Sequence, residues 1–500
     1  MEQNIWQNIL YGLQVCVVPM NLLYCFIGVL VGTLVGVLPG IGTTAAVSLL
    51  LPSTFSLNAA SAVIMLAGIY YGAQYGGSTT SILVNIPGEA TSAITCLDGY
   101  QMARKGRAGA ALGISAFGSF IGGTLSCILL MVVAPPLANM ALKFGPAEYV
   151  SLIILAFVLL TYLAAGSMIK ALMMAVVGVI IGCIGMDLIT GTKRFVYGIL
   201  VLNDGVGLVP VIMGLFGISE VLLNVDHEIQ ARDLYTSNSK IKGLLPNLEE
   251  WKRSIGPILR GTGIGFILGA LPTGGAIVST LTSYGVEKRL SKHPEKFGTG
   301  MIEGVAGPET ANNAASTSCF VPLLTLGIPQ NAVMAIIIGA LIIHGVQPGP
   351  LLLKNSPDVF WGVIVSMYIG NAMLLILNLP LIGMWVKILK IPYPIFFPLI
   401  LLFCLIGVYS LNNMTTETII MIIFGVMGYF MKKFDYEAAP LVFALVLGPM
   451  LEMAFRQSLL LSNGSLSIFL KKPISASLLL TAGMLLIMGI VGRRRVNKED

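Results

Sequence analysis

Two apolar stretches of this 500-residue chain are interrupted at their middles by proline, glycine and small polar residues, and the interruptions resemble each other. The first runs Gly36-Val37-Leu38-Pro39-Gly40-Ile41-Gly42, passes through Tyr70 to Ser78, and reaches Asn85-Ile86-Pro87-Gly88-Glu89. The second runs Gly269-Ala270-Leu271-Pro272-Thr273-Gly274-Gly275, then Ala311-Asn312-Asn313-Ala314, then Gly327-Ile328-Pro329-Gln330. A helix broken inside hydrocarbon bares N–H and C=O groups, which is tolerated only where they line a cavity or a binding site. Half-helix N-termini attract carboxylates. Ser78, Thr79, Thr80 and Ser81 add hydroxyl donors, and Gly76, Gly77 and Gly88 let backbone come close. The carbonyl ends, with Asn85, Asn312 or Asn313, suit Na⁺. No Lys or Arg precedes Arg104, so a cation would supply the neutralisation that arginine otherwise gives. The expectation is an anion carried together with cations.

Each feature has a plainer reading. Lone glycine pairs serve as helix-packing surfaces, whereas two matched Pro-Gly breaks favour a site. Glu89 reads as a proton or cation ligand, or as a capping carboxylate beside a basic loop. Glu303 and Glu309 flank the second break and are candidates because carboxylates within membrane segments are costly. Asp187 and Glu220 fall near span ends and read as interfacial. Tyr70, Tyr71 and Tyr75 read as packing aromatics.

The elements that must hold these breaks are membrane helices. The chain is 56% hydrophobic and 10% charged, with mean hydropathy +0.88; an ordinary soluble domain carries roughly 25% charged residues. Apolar runs of about 20 residues recur along its length. The net charge of +6 concentrates in loops and in Arg493-Arg494-Arg495, which reads as cytoplasmic anchoring and not as nucleic-acid binding. The seven cysteines lack a CxxC pair and the three histidines lack metal-ligand spacing. A signal peptide is not expected, since no basic residue precedes the first apolar run.

Spans are expected near 109–131, 147–165, 168–189 and 205–224, then near 359–385, 394–412, 415–431, 438–452 and 474–491. The polar stretch after Leu223 divides the chain into a first membrane repeat (1–224), a cytoplasmic linker (225–255) and a second repeat with a C-terminal span (256–500). The first break enters without basic residues and exits through Arg104, Lys105 and Arg107. The second is entered from the basic linker, is flanked by Lys288, Arg289, Lys292 and Lys296, and exits with only Lys354. Counted by the positive-inside rule, the two copies run in opposite directions, although Lys193, Arg194, Lys471 and Lys472 run against the count. Positive charge on both sides of 256–285 predicts a hairpin that turns back at Leu271 to Gly275. The expected fold is an all-α polytopic membrane protein of two inverted-topology repeats with re-entrant hairpins and broken helices.

Dense motifs carry a resemblance: GVLPGIG (36–42), MLAGIYYGAQYGGSTTSILVNIPGE (65–89), CLDGYQMARKGRAG (96–109), EGVAGPETANNAAS (303–316), PLLTLGIP (322–329), HGVQPGP (344–350) and IGVYSLNN (406–413). The chain resembles the large membrane subunit of the tripartite tricarboxylate transporters, the TctA family. The resemblance covers nearly the whole length. It implies a multi-pass permease of the bacterial inner membrane, working with a small membrane subunit and a periplasmic solute-binding protein that delivers an organic acid. It implies uptake of tricarboxylates or related anions by cation-coupled symport, with Na⁺ or H⁺ as coupling ion, no other cofactor, and elevator-type motion. By position, the candidate substrate or cation residues are Pro39, Gly40, Gly76, Gly77, Ser78, Thr79, Asn85 and Pro87 in the first half. In the second they are Gly274, Asn312, Asn313, Thr325 and Pro329. Thr273 and Gln330 depart from the family pattern, which usually has glycine after Leu-Pro and a small residue after Ile-Pro.

Other classes fit less well. An enzyme is not expected, because HExxH, a histidine paired with GxSG, and a Gly-x-Gly-Asp carboxylate pair are all missing. An anion channel needs a path of repeated rings, and two inverted halves suit alternating access. A stand-alone carboxylate carrier would lack the partner subunits.

Overall fold

The computed structural model describes residues 5–38, 42–162, 167–187, 189–226, 243–271, 275–388 and 396–496. Pro39, Gly40, Thr273 and Gly274 lie outside the described residues. In the first half the helices are α1 Ile5–Cys16, α2 Pro19–Val37, α3 Thr43–Leu50, α4 Ala59–Val84, α5 Thr95–Arg104, α6 Ala108–Ala141, α7 Pro146–Tyr162 and α8 Met168–Gly182. α9 Leu208–Ile212 runs through a π-helical turn, Met213–Ile218, into α10 Ser219–Asp226. The second half holds α11 Leu248–Ala270, α12 Ala276–Leu290, α13 Glu303–Ser318, α14 Phe320–Leu326, α15 Ala332–Ile343, α16 Leu352–Asn355 and α17 Pro357–Asn378. It ends with α18 Ile382–Ile388, α19 Phe396–Asn412, α20 Thr415–Lys433, α21 Ala438–Leu461, α22 Ile468–Lys471 and α23 Pro473–Val496.

The chain is therefore an all-α multi-pass membrane protein, apart from one two-residue antiparallel ladder among the described residues, Gly185–Met186 with Lys193–Arg194. Among the described residues α2, α6, α17, α20 and α21 are long and apolar enough to cross a membrane by themselves. Several spans differ in their bounds from the sequence reading, and the one expected over 438–452 continues to Leu461 through Pro449. The helix expected over 168–189 stops at Gly182, because the chain turns into the ladder. The span expected over 359–385 breaks after Asn378 and resumes at Ile382 around Pro380. The span at 109–131 continues to Ala141 through Pro135 and Pro136.

Both broken regions are built on one packing device. Gly28, Gly32 and Gly36 of α2 lie against Gly68, Gly72 and Gly76 of α4, with Cβ atoms built on these glycines landing against the other helix's backbone. Gly261, Gly265 and Gly269 of α11 lie likewise against Gly307, Ala311 and Ala315 of α13. Four-residue spacing puts small residues on one helix face, so the backbones approach as closely as they can. Residue numbers rise together in both ladders, so each pair runs parallel. The chain between them returns through the break and a shorter helix, α3 in one half and α12 in the other. The break follows three residues after the last ladder glycine in each copy, at Pro39 after Gly36 and Pro272 after Gly269. α11 and α12 pack together, as the hairpin expected over 256–285 requires.

The two devices meet along α4 and α13. Ser78 meets Glu309 at one end of the contact, and Tyr70, two turns earlier on α4, meets Cys319 just past the end of α13. Numbers rise on one helix as they fall on the other, so α4 and α13 run antiparallel. α6 packs along α13 and α17 packs along α4, closing the core on both sides.

Asp187, in the loop after α8, takes the backbone N–H of Ile189 and pairs with Arg456 at 2.8 Å; these contacts hold its carboxyl well below the usual carboxylate range. Arg194 and Arg456 share Glu452, and Glu220 pairs with Lys432. Both acids expected near span ends are thus ion-paired there.

Candidate functional site

The first break is closed by the protein's own carboxylate. α3 begins at Thr43 after Gly42, whose φ of 67° is the left-handed turn the break needs. Glu89, from the segment beyond α4, accepts the Thr43 backbone N–H at 2.7 Å and the Thr43 hydroxyl. It is an N-terminal cap across the break, placing negative charge where the helix dipole favours it. α4 ends at Asn85, which is left-handed at φ 60° and exposed. A Cβ on Gly88 would strike Gly36 O, and one on Gly77 would lie 3.1 Å from Glu89 N. Gly76, Gly77 and Gly88 therefore fasten α2, α4 and the following loop together.

Beyond this point lies a polar part of the interior. α13 has no charged residue between Glu309 and its end, yet Glu309 is only 1% exposed. Its Oε2 accepts the hydroxyls of Ser78 from α4 and Ser115 from α6, the latter at 3.2 Å; its Oε1 accepts the hydroxyl of Thr95 from α5. Among the described residues no ion pair includes Glu309. One turn on, Asn313 donates to Ser119 Oγ of α6 at 2.6 Å and to the Glu309 carbonyl at 3.2 Å.

Asn312 differs from its neighbour. It is 0% exposed, and neither its Oδ1 nor its Nδ2 has a partner. Buried amides are nearly always hydrogen-bonded, and each exception demands an explanation. At about 100° per residue, Asn312 points within roughly 20° of Cys319 and about 60° from Glu309. Both of those residues touch α4, so the free amide faces the α4–α13 contact. Gln330, at the second tip, has the same property: 1% exposed, with both amide atoms unpartnered. Its neighbour Asn331 caps α15 by accepting from Met334 N at 3.0 Å and donates to the Tyr70 hydroxyl at 3.0 Å. The second tip is thereby tied to α4.

The structure brings together Ser78 and, through Glu309, Asn313 and the face bearing Asn312. Thr79 is buried on α4. Thr325 bonds back to Val321 O at 2.7 Å inside α14, and Pro329 is buried beside Gly327, which is left-handed at φ 69° and lies against Pro348 and Gly349. Asn85 and Pro87 are exposed at the first tip, away from Glu309's partners. Sequence reasoning missed Thr95, Ser115, Ser119 and Asn331. Ser115, Ser119, Gly122 and Ser126 do form a small polar stripe at helical spacing, which was available as a signal; Thr95 had none. Tyr70, Tyr71 and Tyr75 pack in the core as expected, with polar tips satisfied: the Tyr75 hydroxyl donates to Asn371 at 2.5 Å. The seven cysteines are free thiols.

The profile of the tripartite tricarboxylate transporter TctA family matches residues 22–443. An uncharacterized 52.8 kDa protein in the TAR-I ttuC' 3'region of Agrobacterium vitis is 50% identical over 472 residues, 94% of this chain and 93% of that one. A second Agrobacterium vitis protein, uncharacterized and in the TAR-II ttuC' 3'region, is 48% identical over 236 residues, 47% of this chain and 98% of its own length. No solved structure matches.

Proposed function

Because the chain belongs to the tripartite tricarboxylate transporter TctA family, we propose that it is the permease subunit of a binding-protein-dependent secondary transporter. It imports tricarboxylates or related organic acid anions across the bacterial inner membrane by cation-coupled symport. A small membrane subunit and a periplasmic binding protein complete the system. Residues 1–224 and 256–500 act as inverted repeats joined by the linker 225–255, and elevator-type motion exposes one central site to each side in turn.

The observation that carries this reading is the free amide of Asn312, buried where α4 of one half meets the antiparallel α13 of the other. A carboxylate can accept from its Nδ2, a coordinated cation can take its Oδ1, and Gln330 offers the same pair of atoms at the second tip. Transporter sites form at repeat interfaces near the membrane midplane. The matched glycine ladders, with α4 and α13 opposed, support inversion of the halves.

The test is counterflow of labelled citrate in proteoliposomes holding the complete three-component system. Internal unlabelled citrate should accelerate entry of the label, and Asn312→Ala should abolish that acceleration with the protein still present. Entry indifferent to internal citrate is channel behaviour and contradicts the reading.

A further inference from the structure

We propose that Glu309 is the proton-carrying carboxyl of this transporter, binding one H⁺ from one aqueous face and releasing it to the other as the halves move. This rests on the transport reading above and names its coupling ion. Ser78, Thr95 and Ser115 present hydroxyls, and a hydroxyl both donates and accepts. The same three groups therefore satisfy a carboxylate by donating to it, and a carboxylic acid when one of them turns to accept its O–H. Asp98 on α5 makes the contrast. Its carboxylate takes backbone N–H groups of Gly298, Gly300 and Met301, at 2.7 to 3.0 Å, and the Tyr284 hydroxyl at 2.9 Å. Three of those four donors are backbone N–H groups, which only donate, so the Tyr284 hydroxyl is the one member of that cage able to turn and accept.

Charge points the same way. An ionised carboxylate buried without a counter-ion is expensive. Among the described residues, the groups facing Glu309 from the elements around it offer no cation. α4 brings Tyr75, already bonded to Asn371. α5 brings Cys96 beside Thr95, and Asp98 in its own cage. α6 brings only Ser115 and Ser119. α12 brings Glu287, against Gly307, and its partner Arg260 of α11 is held in two bonds of 2.8 and 2.6 Å. On α13 itself Glu303 is paired with Arg253 at 2.7 and 2.8 Å. Both arginines are thus committed to other carboxylates. The hydroxyls touch the Glu309 oxygens directly, so a proton enters without moving a ligand, whereas a metal ion would have to part them.

Position supplies the coupling. The cage draws on α4, α5 and α6 of the first half and α13 of the second, so relative movement of the halves must open it. Occupancy by a proton and the position of the halves then bias each other reciprocally. Asn312 lies less than one turn away on the same helix.

The experiment uses proteoliposomes holding the complete three-component system, with citrate as probe. In wild type an inward proton gradient without sodium should drive citrate accumulation. Glu309→Gln should lose that accumulation more than tenfold while counterflow, which needs no net proton movement, falls less than threefold; Glu309→Asp should recover accumulation. Ser115→Ala, which leaves the carboxyl in place, should move the pH profile of uptake by about half a pH unit or more, and this arm decides if Glu309→Gln does not reach the membrane. Accumulation by Glu309→Gln under a proton gradient at wild-type level overturns the proposal. So does a wild type driven by a sodium gradient and indifferent to the proton gradient, or an unmoved pH profile in Ser115→Ala. In those outcomes counterflow persists and the transport reading stands; wild type without counterflow would remove both.

Discussion

At one end of the α4–α13 contact Ser78 donates to a buried carboxylate; at the other Tyr70 donates to the Cys319 thiol at 3.8 Å, receives Asn331, and packs its ring 6.4 Å from Phe320. The glycine ladders put these ends in correspondence. Gly76 pairs with Gly36 as Ala315 pairs with Gly269, so Tyr70 and Glu309 occupy matching positions, each six residues before the ladder's end. One copy of the device carries an acid there and the other an aromatic. Two equivalent buried carboxylates would double the cost of desolvating charge. A single one leaves an asymmetric interface, with an acid at one end, an uncharged tyrosine, thiol and amide at the other, and the unpartnered Asn312 between them.

The largest effect is expected at the ladders. Gly36→Val and Gly265→Val each force a branched side chain into the partner's backbone, and each should cost more than about 3 kcal/mol. Folded protein recovered from membranes should fall at least tenfold. Full recovery of either would mean that the two pairs are not held by glycine contact. Next comes the middle. Asn312→Leu removes both free amide atoms without opening a void, so citrate uptake should drop about a hundredfold at normal abundance, roughly 2.7 kcal/mol by the usual conversion; uptake within twofold of wild type would take the site elsewhere. The two ends should then differ. Ser78→Ala strips a donor from Glu309 and should lower proton-driven uptake about tenfold, and Tyr70→Phe, losing one thiol and one amide contact, less than threefold. Equal effects would erase the asymmetry. Smallest is the tip. The first break ends in a left-handed Asn85 where the second has a left-handed Gly327. Asn85→Gly should leave uptake and melting temperature almost unchanged, and Asn85→Ala should cost about 1 kcal/mol. A large uptake defect in Asn85→Gly would give that side chain a role beyond its backbone.

Much of this was legible in the sequence. The breaks announce themselves because Pro and Gly in an apolar run have few other uses, and the motifs around them identify the family. The second hairpin followed from positive charge at both of its ends. The glycines carried two meanings: they permit close approach to a ligand or to another helix, and only the structure places Gly76 against Thr33 and Gly88 against Gly36. Glu309 stood out as an acid near a break, but its depth was open. Its partners lie 194 to 231 residues away, and no local pattern encodes a cage assembled from four helices. Asn312 and Asn313 are adjacent and identical in type. Which of the two is satisfied depends on where α6 lies, because α6 brings Ser119 to Asn313 and leaves Asn312 to α4.

Accessibility of the α4–α13 face from the two sides of the membrane separates alternating access from a fixed orientation. In a cysteine-free background, Asn312→Cys should react with an impermeant maleimide added to right-side-out vesicles and, separately, to inside-out vesicles. Labelling from one side only, or from neither, would contradict a centre that two opposed halves open to each face in turn.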